Sequence, residues 1–296
     1  MKQVDIGGLS FAELREEDMY YVDKTMLIAD ILSEGDRDVY QFTRPRRFGK
    51  TTNLSMLDAF FNIQYKGNDW FDGLEISEHP EFERYKNAFP VIYLDLNDTK
   101  APDYDSFIDM MRDAVADAFE PHRYVLECPV IPGRTRKLFD SLDEGITPEG
   151  ALMTSIKSLS VAIVKSTGRK PVILIDEYDC AVSDYFGEAS HMETLEFLGR
   201  FFRSALKTNT NREMVYMTGV MQIAKESIFS DLNNVSVDNI FSEHSGERFG
   251  FTESEVREIL RYYGHPEKLD EVREWYDGYR FGDAEVYNPF SIMMYI

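Results

Sequence analysis

Gly49, Lys50 and Thr51 close the stretch TRPRRFGKTT, residues 43–52, and are the residues here whose types and spacing most directly spell chemistry. They satisfy the second half of the pattern G-x-x-x-x-G-K-[ST]. In that pattern successive backbone N–H groups curl around phosphate oxygens, the ammonium reaches the outer phosphates and the hydroxyl serves Mg²⁺. The first glycine of the pattern is missing, because Arg44 stands there, followed by Pro45. That glycine ordinarily supplies a backbone angle other residues adopt reluctantly, so this loop must be entered by a different route. The triplet alone arises by chance in roughly one such chain in several, and its surroundings must decide. The candidate nucleotide-binding set is Arg46, Arg47, Phe48, Gly49, Lys50, Thr51 and Thr52, with Lys50 on the phosphates and Thr51 on the metal.

A second constellation lies far along the chain. PVILIDEYD, residues 171–179, runs four apolar residues into Asp176 and Glu177. An acid at the end of such a strand can help hold Mg²⁺ on a nucleotide, and a neighbouring glutamate can polarise an attacking water. The plainer reading is that both acids cap whatever helix follows. Thr218 ends the apolar run MVYMTGV and stands as a candidate to sense a terminal phosphate or to place the water, against a simple hydrogen bond to backbone. Arg200, Arg203 and Arg280 are candidates for a charge offered to the phosphate, or else solvated surface charges. Arg46 and Arg47 could neutralise phosphate or clamp an acidic element.

The elements that must position these groups alternate. DVYQFT at 38–43 reads as a strand feeding the loop, and TTNLSMLDAFFN carries Leu54, Leu57, Phe60 and Phe61 at helical spacing. A helix N-terminus behind a phosphate loop adds free N–H groups and a positive dipole. Further strands are expected at 90–98, 171–179, 214–220 and 235–241, and helices at 104–118, 148–165 and 192–207. Residues 124–146, broken by Pro129, Pro132, Gly133 and Gly145, read as a loop-rich insertion. Strands alternating with helices imply an α/β sheet. Thr252 with Glu255 three residues on predicts a capping box and a new helix, and a boundary is placed near Phe249. The tail stops inside an apolar, helix-like run, which reads as a chain cut before its end.

Composition sets the outer limits. The net charge of −21 over 296 residues argues against direct nucleic-acid binding and against an acidic membrane surface. The one dense basic run, Arg44, Arg46, Arg47 and Lys50, sits inside the suspect loop. Cys128 and Cys180 are the only cysteines, and the five histidines have no ligand spacing, so neither a disulfide framework nor a zinc site is indicated. With no signal-like or membrane-spanning run, a cytoplasmic protein is expected. The aromatic groups Tyr20-Tyr21 and Trp275–Phe281 could stack a base, although such residues are more often core.

Taken together, YYVDKTMLI (20–28), RPRRFGKTTNLSML (44–57), LIDEYD (174–179), TGV with KESIFSDLNNV (218–235), FGFTESEV (249–256) and WYDGYRF with YNPFSI (275–292) resemble the predicted AAA-ATPase-like family of bacterial proteins. The RPRRFGKT form of the loop is that family's own. The resemblance implies a P-loop NTPase fold of the additional-strand class, AAA/STAND-like: a three-layer α/β parallel sheet over 1–248, followed by a C-terminal helical lid beginning in 249–296. It implies ATP and Mg²⁺ as cofactors and a Mg-dependent ATPase acting as a regulatory switch. Asp176 and Thr51 would hold the metal, Glu177 would be the catalytic base beside Lys50 and Thr218, and Asp23, Lys24 and Thr25 would lie on the base side. Members commonly continue into a nuclease-like domain of the PD-(D/E)XK type, so such a domain or a protein effector is the expected partner besides ATP or ADP. The rival expectation is a nucleotide-binding scaffold with negligible turnover, serving that missing domain.

Overall fold

The computed structural model describes residues 1–33, 39–182, 189–222, 235–242, 245–276 and 278–296. Most of the KESIFSDLNNV segment, His244 and Asp277 fall outside them. The fold is α/β. Its main sheet has five strands in the order β2-β3-β4-β1-β5, with β1 Val39–Thr43, β2 Val91–Asp95, β3 Val172–Asp176, β4 Val215–Gly219 and β5 Val235–Asp238. β2, β3 and β4 are parallel, with Asp95 opposite Asp176 and Ile175 opposite Met217. Continuous apolar runs suit this arrangement, since an interior parallel strand is covered on both faces; every residue of β3 and β4 is buried.

The chain divides into two compact units. One comprises Arg37–Gln41 and Phe89–Ser236. Its core joins Ile173, Ile175 and Met217 to Met111, Leu159 and Phe197, the last three from the helices Tyr104–Phe119, Ser155–Thr167 and Ala189–Phe202. Three expectations need correction here. The supposed loop-rich insertion contains a helix, Gly133–Asp143, because Pro132 and Gly145 flank it while Thr135, Leu138, Phe139 and Leu142 line one buried face. The helix expected over 148–165 is two, Glu149–Leu152 and Ser155–Thr167, the second stopped by Gly168 at φ 71°. The helix expected over 192–207 begins at Ala189, and its last turn, Arg203–Lys207, widens to π geometry.

The other unit comprises Met1–Asp36, Phe42–Ala88 and Val237–Ile296. Leu54, Leu57, Phe60 and Phe61 of the helix Lys50–Phe61 are buried, and Phe60 packs edge-on against Phe61 and Phe71. A second apolar cluster gathers Val256, Ile259, Leu260, Val272 and Ile292, with Tyr20 and Val22 against it. Tyr20 thus packs half-buried against this cluster, its ring 4.8 Å from that of Tyr262. The expected capping box is present: Thr252 accepts from the Glu255 amide and Glu255 accepts from the Thr252 amide, opening the helix Glu253–Tyr262. β6 Tyr279–Phe281 and β7 Ala284–Val286 form an antiparallel hairpin. Among the described residues no helix is long and apolar enough to cross a membrane.

His122 shows what burial does to a group without chemistry. Its Nε2 lies 2.9 Å from the Val91 carbonyl oxygen, and burial pushes its pKa down to about 4. The unfolded chain takes up a proton near pH 6.5, so between about pH 6.5 and 4 the unfolded state binds more protons and stability falls as pH falls. The shift corresponds to about 3 kcal/mol lost across that window. Denaturant unfolding measured at pH 7, 5.5 and 4.5 should show this slope, and His122→Gln should flatten it; an unchanged slope would assign the acid sensitivity to other groups.

Candidate functional site

Arg44 answers the question raised by the missing glycine. Its side chain has no solvent exposure, and its Nη2 donates to Asp238 Oδ1 at 2.7 Å while Nη1 donates to the Thr43 and Asp238 carbonyls at 2.9 and 3.0 Å. The guanidinium also faces the rings of Phe249 and Phe281, 4.8 and 5.1 Å from their centroids. Ser245 donates its hydroxyl to the other Asp238 oxygen. Burial lowers the Arg44 pKa, and the charge of Asp238 opposes that shift. The loop therefore opens on a paired, desolvated charge. Nothing in the run VSVDNIF marks Asp238 as more than the end of a strand, and its role becomes visible only from the buried arginine.

Beyond Arg44 the loop turns on two left-handed residues, Arg47 at φ 68° and Gly49 at φ 79°. Glycine adopts that region freely; an arginine pays about 1–3 kcal/mol for it. Phe48 between them is buried, edge-on to Tyr279 at 4.9 Å and against Phe281 at 5.0 Å. Gly250 leaves room for this ring, since a Cβ there would come within 3.1 Å of Phe48. The helix Lys50–Phe61 then starts with Gly49 as its N-cap, a residue with no side chain to cap the helix, and has no acid in its first turn. Such an end is a ready acceptor site for an anion. Lys50 is buried, its Nζ 3.4 Å from the Pro45 carbonyl oxygen. Thr51, Arg46 and Arg47 are exposed, and Thr52 is half-buried.

Asp23, Lys24 and Thr25 belong to the same unit, with their polar groups committed to the protein. Asp23 accepts from the Thr25 amide and hydroxyl at 2.8 and 2.6 Å and from the Glu75 amide at 2.8 Å. Lys24 Nζ donates to Glu255 Oε2 and to the Glu247 carbonyl, both at 2.7 Å; burial lowers its pKa against the pull of Glu255. Arg248 pairs with Asp30 at 2.7 Å, and Asn53 donates to the Arg248 carbonyl at 3.0 Å. These bonds tie the segment around 247–255 to the N-terminal residues and to the helix behind the loop.

The other unit carries the second constellation. Asp176 is buried at the end of β3, where it accepts from the Thr218 hydroxyl and, at 3.0 Å, from the Glu177 amide. Thr218 is thus bonded to a carboxylate rather than to backbone. Glu177 is half-buried and held at φ 47°, a left-handed angle strained for a side chain of this length. Asp179 accepts from the Val220 and Met221 amides at 3.0 and 2.6 Å. Tyr178 accepts from Gln41 and donates to the Met221 carbonyl. A Cβ on Gly219 would lie 2.5 Å from both Asp179 Oδ1 and the Tyr178 ring, so that close approach requires glycine. Asp95, the register partner of Asp176, has its pKa raised by burial, with the Asp176 charge adding to the effect.

Arg200 is paired with Glu196 one turn away on its own helix, and Arg280 lies 3.1 Å from Asp283. Among the described residues no His, Cys, Asp and Glu cluster is arranged to hold a metal by itself.

Two comparisons bear on this arrangement. A family model described as predicted AAA-ATPase matches residues 5–229. A protein of Azotobacter chroococcum mcd 1, described as "Uncharacterized protein in vnfD 5'region", is 27% identical over an alignment of 296 residues that covers 99% of this chain and 51% of that protein. The chain thus spans about half the length of the curated relative it matches.

The Arg44 pair sets a measurable cost. Removing one partner of a buried ion pair strands the other charge and typically costs about 3–5 kcal/mol, whereas replacing both with neutral groups of similar size costs far less. Asp238→Asn should therefore destabilise by about 3–5 kcal/mol in denaturant unfolding, and the double change Arg44→Met with Asp238→Asn should recover most of that loss. A single-variant loss below about 1 kcal/mol would show that the pair is not a buried constraint.

Proposed function

Since the chain belongs to the predicted AAA-ATPase family, we propose that it is an ATP-binding and ATP-hydrolysing module with a P-loop NTPase core of the additional-strand, AAA/STAND-like type. The observation that carries this reading is the start of the helix Lys50–Phe61, opened by left-handed Gly49, without a side-chain cap and without an acid in its first turn. The amides of residues 46–52 and the Lys50 ammonium bind the phosphates, Arg46 and Arg47 offset their charge, and the Thr51 hydroxyl takes a place on the metal. Asp176 is the metal-side carboxylate, fixed in rotamer by Thr218 and by the Glu177 amide. Mg²⁺ bound with ATP supplies neutralisation of charge on the β- and γ-phosphates.

Glu177 is the general base of this proposal. Its strained backbone supports that role, because side chains held in unfavourable backbone regions concentrate where geometry serves chemistry. Thr218 orders the strand end beside it. Asp23, Lys24 and Thr25 line the base side in this reading on family resemblance alone, their side chains being engaged within the protein, Asp23 by the Glu75 amide, Lys24 by Glu247 and Glu255, and Thr25 by Asp23 and the Ile76 amide. The segment from Phe249 onward is the lid, whose contacts respond to the γ-phosphate, and its partner is a nuclease-like domain or a protein effector.

Calorimetric Mg·ATP binding and phosphate release, measured on the same samples, test this. Lys50→Ala should weaken binding at least tenfold. Glu177→Gln should bind as the parent does but turn over slower by about 10²–10⁴-fold, the usual contribution of a positioned base. Binding without turnover in the parent would leave ATP as a structural ligand that stabilises the fold by mass action, and no binding by folded protein would overturn the proposal.

A further inference from the structure

The loop carries four basic side chains with different fates. Arg44 is sealed against Asp238 and Lys50 is buried, while Arg46 and Arg47 reach solvent. Arg47 is not idle there: its guanidinium lies 3.9 Å from the centroid of the Phe290 ring. Its backbone is fixed from both sides, by buried Phe48 after it and by the clamped Arg44 before it, so that the side chain rather than the main chain is free to change partner.

Phe290 sits at the start of the helix Pro289–Tyr295, which Asn288 caps by accepting from the Ser291 amide at 3.2 Å. Tyr287, just before it, exchanges both backbone hydrogen bonds with Phe251, at 2.9 and 2.7 Å. The ring that holds Arg47 therefore belongs to an element anchored in the 249–296 segment. A guanidinium stacked on a ring in solvent is a weak contact, whereas a charge-assisted hydrogen bond to a phosphate oxygen is stronger and, for arginine, often bidentate. Offered both, Arg47 takes the phosphate.

We propose that Arg47 is shared between two partners, the Phe290 ring without nucleotide and the phosphate anion with it, so that the C-terminal helix reads the nucleotide state of the loop. This rests on the reading of the loop as a phosphate site and adds the regulation of that site. Phe290 competes with the ligand in this scheme, and its loss should favour binding. That sign is the opposite of what a merely supportive packing residue would give.

The test is a double-mutant cycle on the full chain, titrated calorimetrically with Mg·AMP-PNP. Phe290→Leu, which keeps apolar bulk but removes the ring face, should tighten binding about two- to fivefold, the range of an exposed cation–π contact. Arg47→Ala should weaken it about tenfold, and Phe290→Leu added to Arg47→Ala should change nothing further. Hydrogen exchange of amides 291–296 should quicken on adding Mg·AMP-PNP in the parent and not in Arg47→Ala, a readout that survives if Phe290→Leu folds poorly. Neutral or weakened binding in folded Phe290→Leu, or tightening that persists without Arg47, overturns the proposal. If the parent binds and Lys50→Ala abolishes binding while Phe290→Leu is neutral, only the shared arginine fails; if the parent does not bind, the phosphate-site reading fails and this falls with it.

Discussion

A guanidinium with no access to water must be surrounded by acceptors and a counter-charge, and Arg44 imposes that demand on segments far apart in the chain. Asp238, Ser245, Phe249 and Phe281 converge on it or on its partner. The usual solution at this position is glycine, whose value is backbone freedom. Here the opposite device operates: the main chain is fixed by a side chain that cannot move without stranding a charge. Phe48 repeats the logic a few residues later with an aromatic anchor. The loop's shape is then held by tertiary contacts from both ends, and the left-handed angle of Arg47 between them persists because its neighbours leave no cheaper alternative.

The ends of β3 and β4 are organised by polar contacts of a different kind. Asp176 holds Thr218, Asp179 holds two consecutive amides after β4, and Tyr178 bridges Gln41 to the Met221 carbonyl. A carboxylate is worth most when its lone pairs are oriented before a ligand arrives, because no reorganisation is then charged against binding. Gly219 shows how tight the arrangement is, with no space for a single added methyl group. The strain at Glu177 is sustained inside this hydrogen-bonded frame, much as that at Arg47 is sustained by its anchors.

What could be read from the sequence follows from which signals are local. Apolar runs and their punctuation place all five strands of the main sheet, and the Thr252–Glu255 box marks its helix correctly, because period and capping depend on neighbours. The Gly133–Asp143 helix escapes such reading since its bounding Pro132 and Gly145 look like breakers until their positions outside the helix are known. Residue types and spacing single out Lys50, Asp176 and Glu177 as candidates. They do not announce Asp238 or Phe290, whose partners Arg44 and Arg47 are distant in sequence and whose significance lies wholly in packing. Lys24 illustrates the converse: a lysine inside a family motif turns out to spend its charge on Glu255.

A chain of net charge −21 presents an unfavourable average field to any polyanion. That field is screened over about 8–10 Å at physiological ionic strength, so what an anion meets at the loop is set by the charges within that distance. Of the loop's four basic groups, Arg44 contributes little outward because Asp238 neutralises it, and its function is mechanical. The other three basic groups of the loop are Arg46 and Arg47, both exposed, and Lys50, which is buried at the start of its helix. With Arg44 neutralised by Asp238, the outward positive charge of the loop is small against the net −21 of the chain. The partner chosen by each arginine therefore matters more to this protein than its total charge.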